Sequence, residues 1–282
     1  MKTKIIVDST FSLEEEVVKK YNVDVIPLSI NIDNETFKDN IDINVEQVVE
    51  SVQSGKKVST SQPSPFLFEQ RVLQAQKDGY DNCIVLTMSS TLSGTNQAAR
   101  IGTSEIENYP FYVVDTKTTS VGAYQIFDFL VRLIDEQKSF EEICKILDKL
   151  STKTKLIISL IDLTNLVRSG RISSMKGTIA SFFHVKPLIE YYEGKVKVES
   201  KLRTDNQVFE WIAKKIKEEM ANKKTVYVYT SHIRATERIV KFNEVLKKHL
   251  PNAIFKSGIT TSGVISIHTA FNAVAVAWVD LD

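Results

Sequence analysis

The apolar run Cys83-Ile84-Val85-Leu86-Thr87-Met88 leads at once into Ser89-Ser90-Thr91-Leu92-Ser93-Gly94-Thr95 and then into a helix start, Asn96-Gln97-Ala98-Ala99-Arg100. A strand, a turn of small residues and a helix in that order leave free backbone N–H groups pointing outward at the helix start. Those donors, the helix dipole and the turn hydroxyls together suit an anion such as a carboxylate or a phosphate. A second hydroxyl-rich loop, Thr60-Ser61-Gln62-Pro63-Ser64-Pro65, also sits between apolar segments.

The strand–turn–helix unit recurs along the first half, which predicts an α/β fold with a mostly parallel sheet. Ile5-Ile6-Val7 is a short buried strand ending at Asp8-Ser9-Thr10. Ser12 and Glu15 have capping-box spacing, and the helix they open carries Leu13, Val17 and Tyr21 on one stripe. Residues 23–32 read as extended, with Pro27 marking an edge position. Helices over 45–54 and 66–78 end at Gly55 and near Gly79, strand 83–88 follows, and Gly94 opens the next helix. A strand over 109–114 ends at Asp115-Thr116-Lys117-Thr118-Thr119-Ser120. In open α/β sheets ligands bind beyond the carboxyl ends of strands, so the ends at Asp8, Ser89 and Asp115 are expected to converge on one crevice.

The second half starts after a charged helix over 140–150 and the polar stretch Ser151-Thr152-Lys153-Thr154-Lys155. This places a domain boundary near residue 155, giving units of 1–155 and 156–282. A strand covers 156–161, and Glu193-Gly194 turns a hairpin between 185–192 and 195–202. Amphipathic helices over 206–221 and 233–249 flank a strand at 226–229, and a final pair of strands, 264–267 and 273–279, closes the chain.

Composition excludes several classes. Apolar residues make up 43% and charged residues 25%, the balance of an ordered globular protein. Lys and Arg number 36 against 35 Asp and Glu, so no global basic field favours nucleic acid. Cys83 and Cys144, the two cysteines, lack metal or redox spacing and read as buried free thiols. No signal-peptide core or membrane-spanning run is present, which predicts a reduced, cytoplasmic protein.

Each candidate side chain has a duller reading beside the functional one. Ser93 can donate to an anion or simply cap the following helix, and the two weigh equally. As a nucleophile it lacks a G-x-S-x-G elbow. Thr60 precedes a Pro-x-Pro segment that stiffens its backbone, although alone it reads as satisfying its own turn. His268, after the strand predicted at 264–267, can donate to a carboxylate or be merely packed. His184, His232 and His249 have no ligand spacing with it, so no zinc site is expected. Arg168 and Arg171, three residues apart around Gly170, can grip a phosphate or a partner's carboxylates, although a solvated loop is the weightier reading.

Taken in order, these motifs resemble the DegV family, which includes the fatty-acid-binding subunit of bacterial fatty acid kinase. Val7-Asp8-Ser9-Thr10 looks like the family's opening turn, and Thr60-Ser61-Gln62-Pro63-Ser64-Pro65 like its TSQPS loop. Ser89 through Thr95 is similar to its SSxLSGT loop, and Arg168-Ser169-Gly170-Arg171-Ile172-Ser173 to its RGGRIS segment. Any one is weak; four in the same order, over nearly the whole chain, identify a member. The resemblance implies a Rossmann-like N-terminal domain with a mostly parallel sheet joined to an α+β C-terminal lipid-binding domain, the ligand lying at and beyond their interface. It implies that Thr60, Ser93 and His268 hold a long-chain fatty acid carboxylate, with Ser61 alongside and the Gly94 N–H contributing.

The implied role is a carrier without catalytic residue, metal or cofactor. It would present the acid to a separate kinase, which makes the acyl phosphate for phospholipid synthesis. Arg168, Arg171 and Arg203 would face that kinase, with transient membrane contact compatible with the role.

The chain departs from the family in three places. Around His268 the family has a GAHTGPGA-like stretch, whereas here Phe271 and Asn272 replace small residues. His184 stands where asparagine is common, and Asp205 stands where a second basic residue usually follows Arg203. Two other classes stay open: a small hydrolase or phosphotransferase using Ser93 with His268 as base, and a regulatory module sensing another amphiphile or a nucleotide.

Overall fold

The computed structural model describes residues 2–172, 185–199 and 202–280. Ser173 and His184 lie outside the described residues.

The chain opens with β1 (Thr3–Asp8), a 3-10 turn, α1 (Glu15–Tyr21) and β2 (Asp24–Ile26). It continues through β3 (Ser29–Ile32), β4 (Glu35–Lys38), α2 (Val45–Gln53), β5 (Val58–Ser61) and α3 (Pro65–Lys77). Then come β6 (Asn82–Thr87), α4 (Thr95–Thr103), β7 (Phe111–Asp115), α5 (Ser120–Asp135) and α6 (Phe140–Lys153). The second half holds β8 (Lys155–Ser159), α7 (Thr164–Arg168), β9 (Leu188–Tyr192), β10 (Lys195–Glu199) and α8 (Asp205–Glu219). It ends with β11 (Val226–Ile233), α9 (Thr236–His249), β12 (Ile254–Thr260), α10 (Gly263–Thr269) and β13 (Ala273–Asp280).

Three sheets organise these elements. The first is parallel, in the order β2-β1-β6-β7. Its side chains alternate between two helical layers, as the period of a strand requires. Ile5, Val7, Ile84 and Leu86 pack on the layer holding Ile126, Leu130, Ile143 and Leu147 of α5 and α6. Ile6, Cys83 and Val85 pack on Phe68, Val72 and Ala99 of α3 and α4. Pro27 falls between the edge strand β2 and β3, where its missing N–H costs no ladder bond.

The second sheet has the order β10-β9-β8-β13-β11-β12 and is antiparallel except where β11 meets β12. One face packs on α8 and α9 through Ile157, Val228, Val276 and Trp278. The other packs on Val121 and Tyr124 of α5. Helix α5 is therefore covered by both sheets, and this explains a sequence that is apolar nearly all round. A polar cluster fastens it: Asp128 accepts from Tyr229 Oη (2.5 Å), Arg132 Nη2 (2.7 Å) and Lys256 Nζ (2.9 Å).

A small antiparallel sheet, β4-β3-β5, covers α10 and α2 through Ile30, Val48, Val264 and Ile267.

Two expectations are corrected. Residues 264–267 belong to helix α10, not to a strand. Ser262 caps the helix by accepting from Ile265 N (3.3 Å). Every residue of α10 except His268 is buried, so the short apolar run carries no period that separates helix from strand. The Ser12–Glu15 capping box does not form either: α1 starts at Glu15, Glu14 takes the cap position, and Ser12 has a left-handed φ of 54°. Here the tight 3-10 turn that precedes the helix consumes Ser12, whose N–H bonds Ser9 O.

Candidate functional site

The three strand ends do lie side by side, because β1, β6 and β7 are parallel neighbours. Their carboxylates, however, are engaged internally. Asp8 is wholly buried, and it accepts from Thr10 N and Oγ1 and from Met88 N (2.6 Å). Asp115 binds Ser90 N and Oγ and Lys117 N. These groups shape the loops around the strand ends.

All five residues expected at the ligand head group line one cavity of about 240 Å³: Thr60, Ser61, Ser93, Gly94 and His268. They arrive from separate elements. Thr60 and Ser61 end β5, whose ladder to β3 pairs Thr60 with Ile30. Ser93 and Gly94 precede α4, with Gly94 at its N-cap position. His268 stands in the last turn of α10. A Cβ at Gly94 would meet the Gln62 side-chain amide, which would have to swing aside. Below this polar end the lining is apolar, with Leu28, Met88, Leu92, Ile158, Leu166 and Ile265 among its members.

Thr60 Oγ1 lies 3.0 Å from His268 Nε2. Burial, with the Arg171 guanidinium adding to it, depresses His268 to about 4, so the imidazole is neutral at pH 7. Its Nδ1 is buried and has no partner among the described residues. Ser93 Oγ is 2.8 Å from Thr95 Oγ1 and accepts from Thr95 N (3.3 Å), so it satisfies the first N–H of α4 and lines the cavity at once. Among the described residues His268 engages Thr60, and Ser93 engages Thr95.

A second, wider basin of about 600 Å³ shares Thr60, Arg171 and His268 with the first cavity. Lys56, Lys57, Arg168 and Arg171 line it, with no acidic side chain among its described lining residues. Arg168 ends α7, Gly170 takes the left-handed conformation (φ 78°) that closes the helix, and Arg171 Nη1 donates to Ser169 O (2.7 Å). The structure does not bring Arg203 to this place: it is exposed beside the N-cap of α8 and lines neither cavity. Asp205, in the position where a basic residue was the expectation, pairs with Arg238 (2.9 Å).

Several lining residues carried no recognisable signal in the sequence. Tyr191 reaches the cavity from β9 and Thr119 from the N-cap of α5. Only the packing of two sheets against α5 brings them there.

A parallel sheet between helical layers, a second sheet enclosing α5 and an apolar cavity closed by hydroxyls and an imidazole define an α/β protein with a polar-capped apolar cavity. The chain belongs to the DegV family, described as uncharacterised proteins, whose profile matches residues 2–281. A DegV domain-containing protein of Staphylococcus aureus (strain COL) is 31% identical over 273 residues, 96% of each chain. One of Clostridium perfringens is 32% identical over 203 residues, 72% of each. The solved structure of a fatty-acid-binding DegV family protein from Thermus thermophilus has a TM-score of 0.89 at 26% identity, covering 99% of this chain and 100% of its own. A fatty-acid-binding DegV family protein from Streptococcus agalactiae gives 0.88 at 26% identity, covering 99% of each. Among the described residues no helix is long and apolar enough to cross a membrane.

Proposed function

We propose that this protein is a non-catalytic carrier in the cytoplasm that binds a long-chain fatty acid and presents its carboxylate to a separate kinase, for acyl-phosphate formation and phospholipid synthesis. The observation that carries the reading is the Thr60–His268 pair standing with Ser93 and Gly94 over an apolar cavity. The two similar structures bind fatty acids, which supports the same ligand class here. In this reading the units 1–155 and 156–282 share the ligand: Thr60, Ser61, Ser93 and Gly94 come from the first and His268 from the second.

Burying about fifteen methylenes at roughly 0.8 kcal/mol each contributes on the order of 12 kcal/mol before ordering costs. A buried carboxylate opposes this unless it is hydrogen-bonded. Hydroxyl donors at Thr60 and Ser93, a backbone N–H and the imidazole offset that penalty by about 1–3 kcal/mol each. The 240 Å³ cavity is below the roughly 300–1,000 Å³ of common ligand pockets, so a long acyl tail requires lining side chains to move. Met88 and Leu92 are suited to that, one unbranched and adaptable, the other half-buried. The cationic basin at the same mouth suits the approach of a phosphate donor and its enzyme, with Arg168 and Arg171 on the contacting side.

Native mass spectrometry of the protein as purified, followed by titration with oleate, tests the carrier. A bound acid of long-chain mass is expected. An empty protein that takes up no oleate overturns the reading.

A further inference from the structure

A third cavity, of about 330 Å³, lies away from the head-group site and shares no lining residue with it. It forms where the C-terminal half of α5 meets α6 over the edges of β11 and β13. Its floor is apolar: Phe129, Leu133, Ile146 and Leu150, with the Tyr227 ring at 4.8 Å from that of Phe129.

The rim is cationic and partly fixed in place. The Arg132 guanidinium stands about 5 Å from both floor rings (5.1 Å from Phe129, 5.0 Å from Tyr227). Its Nη2 donates to Asp128 Oδ2 (2.7 Å) and to Tyr229 Oη (2.9 Å), so the group is held while, among the described residues, Nε and Nη1 keep donors to offer. Lys138 and Lys149 also line the cavity, and no salt bridge among the described residues engages either, although Lys138 acts on Glu142 at longer range. Of the two acids on the rim, Asp280 is taken by Lys153 and Lys223, and Arg132 is paired with Asp128, which leaves Glu136 against Lys138 and Lys149.

An apolar floor with aromatic edges, a held guanidinium and surplus positive charge fit one chemistry. We propose that this cavity is a second binding site, for a small amphipathic anion with a flat or short aliphatic body and a carboxylate or sulfonate head. The body lies against Phe129, Leu133 and Ile146, while the head meets Arg132 and the two lysines.

Fluorescence titration with 8-anilinonaphthalene-1-sulfonate tests this on the full chain saturated with oleate. Saturable binding that survives the oleate is expected, and N-phenyl-1-naphthylamine, which lacks the sulfonate, is expected to bind at least about tenfold more weakly. The rim double variant Lys138→Glu/Lys149→Glu should lower affinity for the sulfonate about tenfold without changing the melting temperature. Ile146→Trp, which fills the cavity, should abolish binding. Loss of the probe on adding oleate, or equal affinity in wild type and the charge-reversed variant, overturns the proposal.

Discussion

Thr60 and His268 are 208 residues apart in the chain, yet Thr60 Oγ1 stands 3.0 Å from His268 Nε2. The contact joins the last strand of the small sheet to the last helix, and it orients the imidazole over the cavity. Replacing either member therefore frees the other. Thr60→Val and His268→Ala are each expected to weaken oleate binding about tenfold to a hundredfold. Because they act through one contact, the double variant should lose less than the sum, with a coupling of about 0.5–3 kcal/mol. Calorimetric titration of the four proteins checks this, and strictly additive losses would show that the pair does not work as a unit.

The protonation of His268 gives a pH signature. Its ordinary value is 6.5, and burial holds it near 4 in the folded chain. Between those values the unfolded chain binds the proton and the folded one does not, so this group's contribution to stability is lost as pH falls from about 6.5 to 4. Asp8 and Asp39 act in the opposite direction: burial raises both from 3.8 to about 6, so between those values the folded chain holds their protons more tightly. His268→Gln removes only the first contribution. Its stability relative to wild type should rise on acidification through that window, as measured by urea denaturation at pH 7, 6 and 5. A difference independent of pH would contradict a neutral buried imidazole.

Helix α10 ends on a strained residue. Ala270 has φ 62° and ψ 179°, a region almost reserved for glycine. Ala270→Gly is expected to stabilise the protein by about 1 kcal/mol, the relief of strain outweighing the added freedom of the unfolded chain. The urea midpoint should move up with an unchanged slope, and a lowered midpoint would refute the strain.

Much of the architecture was legible along the chain. Continuous apolar runs at 5–7 and 83–88 mark strands buried on both faces, and turn residues such as Gly55, Gly79 and Gly194 take the left-handed conformations their positions imply. Helix α5 was not legible, because a helix covered by two sheets loses the polar stripe that gives a helix its period. Strand β12 was missed as well: Lys256, Ser257 and Gly258 interrupt its apolar residues. Helix α10 was mistaken for a strand for the same reason that α5 escaped notice.

The sequence by itself determined the local chemistry: hydroxyl-rich loops at strand ends, two arginines flanking a glycine and a late histidine. Those features depend on neighbours in the chain, and the short range of turn and cap hydrogen bonds makes them readable there. The tertiary structure alone decided which of them meet. It set Thr60 on His268, moved Arg171 to the cavity mouth, left Arg203 outside it and engaged Asp8 with Met88 N and Asp115 with Lys117 N. Those pairings follow from how two sheets close around α5, and packing over such separations leaves no periodic trace in the order of residues.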